Sequence, residues 1–288
     1  MEREVFEGEA LSGRMARWLS EASFFDEMAA QIGAHLRPLD PLVVQRYQQA
    51  RRSWCNKEFR FQLLGDLRGK RVLDAGCGEG TNAVLMAKLG AHVTGLDISS
   101  GSIEVCHRRA LMDQVEGKTT FLCAPLETVD FQEGTFDVIW GDGVLHHVIP
   151  ELPGVMAKFL RWAKPGALFV FSEPVSLVPA LRRLRMGIPI HTDATPDERP
   201  LQRDEVELLQ RMLPGLGMRW FNLFGRLGRF VVRDHGFERA PWLRRVGLDA
   251  LWRLDQAVLS LPRLSALGGM CVMYGHAPAA VVELSNQR

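Results

Sequence analysis

From Lys70 onward, short apolar runs alternate with longer stretches of helical texture. The runs are RVLDAG (71–76), HVTGLD (92–97), TTFLCA (119–124), FDVIWG (136–141) and ALFVFSE (167–173). Parallel strands need crossovers of a dozen or more residues, and the gaps between the runs supply them, with helices predicted near 81–89, 101–114, 150–163 and 203–213. A sixth strand is predicted in MRWFNLFG (218–225) and a seventh in GMCVMYG (269–275). The expected fold class is α/β: a doubly wound, seven-stranded, mostly parallel sheet.

Residues 1–68 carry no strand signal. Their spaced apolar and aromatic residues, among them Phe24, Phe25, Met28, Leu36, Val44, Tyr47 and Trp54, predict two or three helices punctuated by Pro38 and Pro41. Between the last two strands lies the amphipathic stretch PWLRRVGLDALWRLDQAVLSL, with Leu243, Val246, Leu248, Leu251, Leu254, Val258 and Leu259 near helical spacing. The expected organisation is an N-terminal helical lid (1–68), a nucleotide-binding core (69–225), a helical cap insertion (226–266), and a last strand with tail (267–288).

Composition adds exclusions. With 35 basic against 34 acidic residues, 47% apolar and 24% charged, nothing suggests disorder, and general nucleic-acid binding is disfavoured. Five scattered cysteines, with no C-x-x-C pair, indicate neither a disulfide framework nor a zinc site. The N-terminus MEREVFEGEA has no apolar signal core and no run reaches membrane-spanning length, so a cytoplasmic location without an integral membrane segment is expected.

The first run ends in Asp74-Ala75-Gly76-Cys77-Gly78-Glu79-Gly80, where glycines let the chain turn sharply and a ligand touch backbone. The second ends in Asp97, placed so that its carboxylate accepts ribose hydroxyls. Both features suit a nucleotide crevice and do not by themselves separate a dinucleotide from adenosylmethionine. G-x-G-x-G, with Thr81 following it, departs from the dinucleotide pattern G-x-G-x-x-G. Asp74 would repel a pyrophosphate and suits an ammonium or sulfonium.

Taken in order, VLDAGCGEG, GLDIS, FDVIWGDGVLHHV and KPGALFVFSEP, between about Lys70 and Pro174, resemble the class I S-adenosylmethionine-dependent methyltransferases. The resemblance implies S-adenosylmethionine as methyl donor and S-adenosylhomocysteine as product. It places Asp74, Gly76, Cys77 and Gly78 by the methionine part, Asp97 on the ribose, Ile98 beside the adenine, and the Gly141 carbonyl toward the methionine amine. Pro125 stands where the family often has an adenine-binding Asp, so the Leu126 amide is the expected contact there.

Methyl transfer chiefly requires alignment of the nucleophile and, where needed, removal of its proton. His146, His147 and Glu173 lie at the expected rim and are the candidates, His146 or Glu173 as base, each with a packing or structural alternative. Asp142, His191, Tyr47 and Trp54 are candidates for substrate contact, although core packing explains the two aromatics equally. Asp142 with Glu173 suggests a catechol-type metal site, but the Asp-Asn pair of that pattern is not apparent, so no metal is expected. The segment TPDERPL (195–201) resembles one in bacterial relatives acting on small molecules or on saccharide and lipid precursors; its alternative is helix capping by Thr195 or Asp204. The resulting expectation is a methyltransferase acting on O, N or C of a small, fairly hydrophobic metabolite, with homodimerisation left open. A nicotinamide-dependent oxidoreductase and a catalytically inactive scaffold are the alternatives.

Overall fold

The computed structural model describes residues 2–178, 198–230 and 237–279. The N-terminal region forms α1 (Glu2–Ala34), α2 (Pro41–Gln49) and α3 (Asn56–Leu64). The core follows as β1 (Arg71–Ala75), α4 (Thr81–Lys88), β2 (His92–Asp97), α5 (Ser100–Met112), β3 (Thr119–Cys123) and β4 (Phe136–Asp142). It continues through α6 (Leu152–Trp162), β5 (Ala163–Pro174), α7 (Arg203–Met212), β6 (Gly217–Phe221), α8 (Trp242–Leu259) and β7 (Met270–His276).

The seven strands form one sheet in the order β3-β2-β1-β4-β5-β7-β6, with β7 antiparallel to both neighbours. The expected doubly wound sheet is what the chain forms. Side chains alternate across a strand, so each apolar run feeds two cores. Val72, Val138, Trp140 and Val170 pack with Val84, Leu85 and Cys106 on the α4/α5 side. Leu73, Ile139, Phe169 and Phe171 pack with Met156, Phe159 and Leu209 on the α6/α7 side. Strand order reverses between β1 and β4, and the carboxyl ends of those strands open the crevice typical of such a switch point.

Polar ties hold the added helices. Asp26 of α1 accepts from Ser99 Oγ (2.6 Å) and the Gly101 amide (2.8 Å) at the start of α5. Arg17 Nη2 reaches Glu127 after β3 (2.6 Å) and Glu151 before α6 (2.9 Å). These anchors stretch α1 across the mouth of the crevice. The insertion is fastened elsewhere: buried Asp255 of α8 accepts from the Asn222, Leu223 and Phe224 amides just after β6. The helical insertion expected between the last two strands is present as α8, which packs on β6; no α8 residue lines the crevice cavity. The α7 cap is Gln202, in a reciprocal box with Glu205, rather than Asp204.

Candidate functional site

The turn after β1 brings the crevice floor close to the loop after β4. Gly76 has φ +65°, and a Cβ there would meet Val144 Cγ2 at 2.8 Å. Gly78 has φ +51° and nothing within 4 Å of an added Cβ, so its backbone borders open space. That space is a cavity of about 280 Å³, lined on this side by Gly76, Gly78, Asp97, Asp142 and Gly143. Ile98, Pro125 and Leu126 line it at the β2/β3 end, and Phe25 from α1 faces them.

The floor is acidic. Asp97 accepts from the Gly78 amide (2.8 Å) and the Ser99 amide (2.9 Å), which join the glycine turn to the end of β2. Burial outweighs those amides and raises its pKa. Asp142 pairs with Arg60 (2.9 Å) and accepts from Asn82 (3.0 Å); burial works against its charge, but Arg60 and then Lys57 win and lower its pKa. Lys57 itself is pulled down to about 8, chiefly by burial, against the attraction of Asp142.

Asp74 lies behind this layer, 1% exposed, and neither carboxylate oxygen has a hydrogen-bond partner. Burial, then the charge of Asp142, holds its pKa well above the carboxylate range, with Lys57 opposing. An acid harder to ionise when folded adds stability below its unfolded pKa and loses it as pH rises through the folded value. Asp74→Asn is therefore expected to be more stable than wild type near pH 7, with a margin that shrinks toward pH 4. Urea unfolding midpoints across that range check the sign, and a margin independent of pH would contradict it.

Glu79 removes an anion seat. Its carboxylate accepts from the Thr81 amide (3.1 Å) and Thr81 Oγ1 (2.7 Å), occupying the start of α4 where a dinucleotide fold seats pyrophosphate. The Thr81 amide at the start of α4 is thus spent on the protein itself.

On the far side, β5 ends in Glu173, fully buried. It accepts from the Val144 and Leu145 amides (both 2.9 Å) and contacts His146 Nδ1 at 2.8 Å. Both oxygens are thus occupied, and the expectation of Glu173 as a rim base is corrected: it positions the loop after β4. His146 is pushed up to about 9, since hydrogen bonds with Glu173 and Glu198 overcome the downward effect of burial. His147 stands edge-on to Phe25 with ring centroids 5.6 Å apart. His146, His147, Glu21 and Glu198 also line a second cavity of about 240 Å³, completed by Arg17, Ser20, Ile149, Pro150 and Arg199. The histidine pair and Glu198 thus partition two adjoining spaces.

Residues 73–171 match the family model described as a methyltransferase domain. The ubiquinone biosynthesis O-methyltransferase of Alkalilimnicola ehrlichii is 38% identical over 111 residues, covering 38% of this chain and 44% of that protein. That of Bordetella bronchiseptica is 32% identical over 150 residues, covering 46% of this chain and 61% of that protein. The matched segment is a methyltransferase domain, and the sheet around it has the class I S-adenosylmethionine-dependent methyltransferase architecture. The chain spans about half the length of these curated relatives. Among solved structures, the cyclase SpnF superposes with TM-score 0.52 at 19% identity, covering 80% of this chain and 84% of that one. An S-adenosylmethionine-dependent methyltransferase from Mesorhizobium loti gives 0.50 at 19% identity, covering 76% and 95%. At such identities the likeness concerns the fold.

Of the residues read from the methyltransferase motifs, the structure gathers Gly76, Gly78, Asp97, Ile98 and Leu126 around one cavity, with Asp142, His146 and His147. Cys77 turns its thiol toward Cys106, 3.9 Å away, and Gly141 lies in β4 beneath Val144; neither lines the cavity. Tyr47 packs on Phe61 (centroids 4.9 Å apart), and Trp54 Nε1 donates to Asp249 of α8 (2.7 Å), so these aromatics sit away from both cavities. His191 lies outside the described residues. Phe25, Glu21, Lys57, Arg60 and Asn82 enter the site without having been singled out as site residues. They come from α1, α3 and α4, and no spacing in the sequence links them to the motifs.

No helix among the described residues is long and apolar enough to cross a membrane.

Proposed function

We propose that the chain transfers the methyl group of S-adenosylmethionine to an oxygen of a small-molecule acceptor. The observation that carries this is the acidic lining of the crevice: Asp97 and Asp142 border it at a glycine turn whose helix start is already occupied by Glu79. A cationic sulfonium and ammonium suit that field, whereas a pyrophosphate does not.

Bound S-adenosylmethionine supplies an electrophilic methyl group on sulfur. Asp97 keeps lone pairs free beyond its two amide contacts and accepts the ribose hydroxyls. Ile98, Pro125 and Leu126 flank the adenine, with the Leu126 amide as its polar contact. Asp142, kept ionised by Arg60 and Lys57, favours the ammonium, and those two cations balance the carboxylate. The α1 helix serves as lid, since Phe25 and Glu21 line the cavity. The acceptor takes the second cavity, where His146 Nε2, His147 and Glu198 meet its hydroxyl. Oxygen is favoured because the curated relatives are O-methyltransferases.

Calorimetric titration with S-adenosylhomocysteine, S-adenosylmethionine and NADH tests the donor half. Binding of the first two in the micromolar range without NADH binding is expected, and NADH binding alone would overturn the reading. Transfer of labelled methyl from S-adenosylmethionine to a panel of hydroxylated small molecules tests the acceptor half.

A further inference from the structure

We propose that His146, His147 and Glu198 bind a divalent cation of the zinc class at the partition between the two cavities. The acceptor hydroxyl then takes an open position on the ion. That second statement rests on the methyl-transfer reading; the cation site stands without it.

The geometry has four parts. One ligand atom from each of the three residues lies within 4.8 Å of the others. His147 Nδ1 is 3.3 Å from Glu198 Oε1, and His146 Nε2 is 3.6 Å from Glu198 Oε2. Ligands about 2.0–2.1 Å from a tetrahedral zinc lie roughly 3.3 Å apart, a spacing that the two histidine–carboxylate contacts already approach. His146 Nδ1 is held by the buried Glu173 at 2.8 Å, the carboxylate–histidine arrangement that fixes a ligating imidazole and turns Nε2 toward a metal. His147 Nδ1 is buried with no hydrogen-bond partner, and an ion between it and Glu198 would satisfy it.

Two imidazoles and a carboxylate form a donor set that suits zinc, manganese or cobalt better than magnesium, and three protein ligands leave room for a further one. The expectation that no metal is involved looked to Asp142 with Glu173. Asp142 is spent on Arg60 and Asn82, and Glu173 stands one layer behind the ligands. The proposed trio needs Glu198, far along the chain, and so leaves no compact motif.

An acceptor hydroxyl on the ion would lose its proton to water more readily. Its oxygen lone pair then forms the new C–O bond as the methyl C–S bond breaks, and that electron pair stays on sulfur as the neutral thioether.

The test uses the full chain, freed of metal with chelator, titrated calorimetrically with zinc and with cobalt, alongside a separate titration with S-adenosylhomocysteine. One ion per chain is expected, with visible cobalt absorption bands, and affinity at least 100-fold weaker in His147→Ala and in Glu198→Gln. Glu198→Gln serves if His147→Ala fails to fold. No stoichiometric ion binding by wild type, or binding equally strong in the variants, overturns the proposal. If S-adenosylhomocysteine binds and the metal does not, the cation site falls and the methyl-transfer reading stands. The reverse result keeps the cation site and removes that reading.

Discussion

Replacing Asp97 by alanine is expected to weaken S-adenosylhomocysteine binding about 100-fold, which corresponds to ~2.7 kcal/mol. In the proposed site the carboxylate has two tasks. Hydrogen bonds from the ribose hydroxyls contribute about 0.5–1.5 kcal/mol each net of water, and both are lost. The same carboxylate accepts from the Gly78 and Ser99 amides, so alanine also frees the glycine turn from the end of β2. Asp97→Asn keeps one acceptor oxygen, and an intermediate loss of about tenfold is expected. Calorimetry on both variants checks the order. An affinity for Asp97→Ala within threefold of wild type would remove Asp97 from the ribose contact.

The parts legible in the sequence were those where local chemistry and global fold impose the same residue. Val72 and Leu73 are adjacent and both apolar because each faces a different core, and that doubling marks a strand covered on both sides. Gly76 and Gly78 announced the crevice because the fold needs positive φ at both, close approach to Val144 at one and open space beside the other. Asp97 followed from its place at the next strand end.

What the sequence hid is what the fold assembles from distant segments. Phe25 sits in an ordinary helical stretch, and tertiary ties such as those from Asp26 to Ser99 and from Arg17 to Glu127 carry it over the cavity. Tyr47 and Trp54 carried a stronger aromatic signal, yet core packing against Phe61 and bonding to α8 claim them. The amphipathic pattern of α8 was legible as a helix, but a pattern tells which face is apolar and not which neighbour receives it. Buried Asp255 and the amides after β6 decide that.

The Glu173 side chain joins the two kinds of information, and its removal is expected to have the largest effect on stability. Its position at the end of β5 was readable; its role was not, because a strand-end carboxylate serves equally as reactive group or structural acceptor. In the structure Glu173 collects the Val144 and Leu145 amides and the His146 ring, so alanine leaves several buried donors without an acceptor. That loss is expected to cost about 3–5 kcal/mol. For a domain of this size it lowers the melting temperature by roughly 10 °C. Glu173→Gln keeps one oxygen but turns an NH2 toward N–H donors, and about half that loss is expected. The glycine turn and Asp97 lie across the cavity, so folded Glu173→Gln should bind S-adenosylhomocysteine within a fewfold of wild type while methyl transfer falls by at least tenfold. Thermal unfolding, calorimetry and turnover on one preparation separate these effects. A glutamine variant with full turnover would show that orientation of His146 does not limit the reaction.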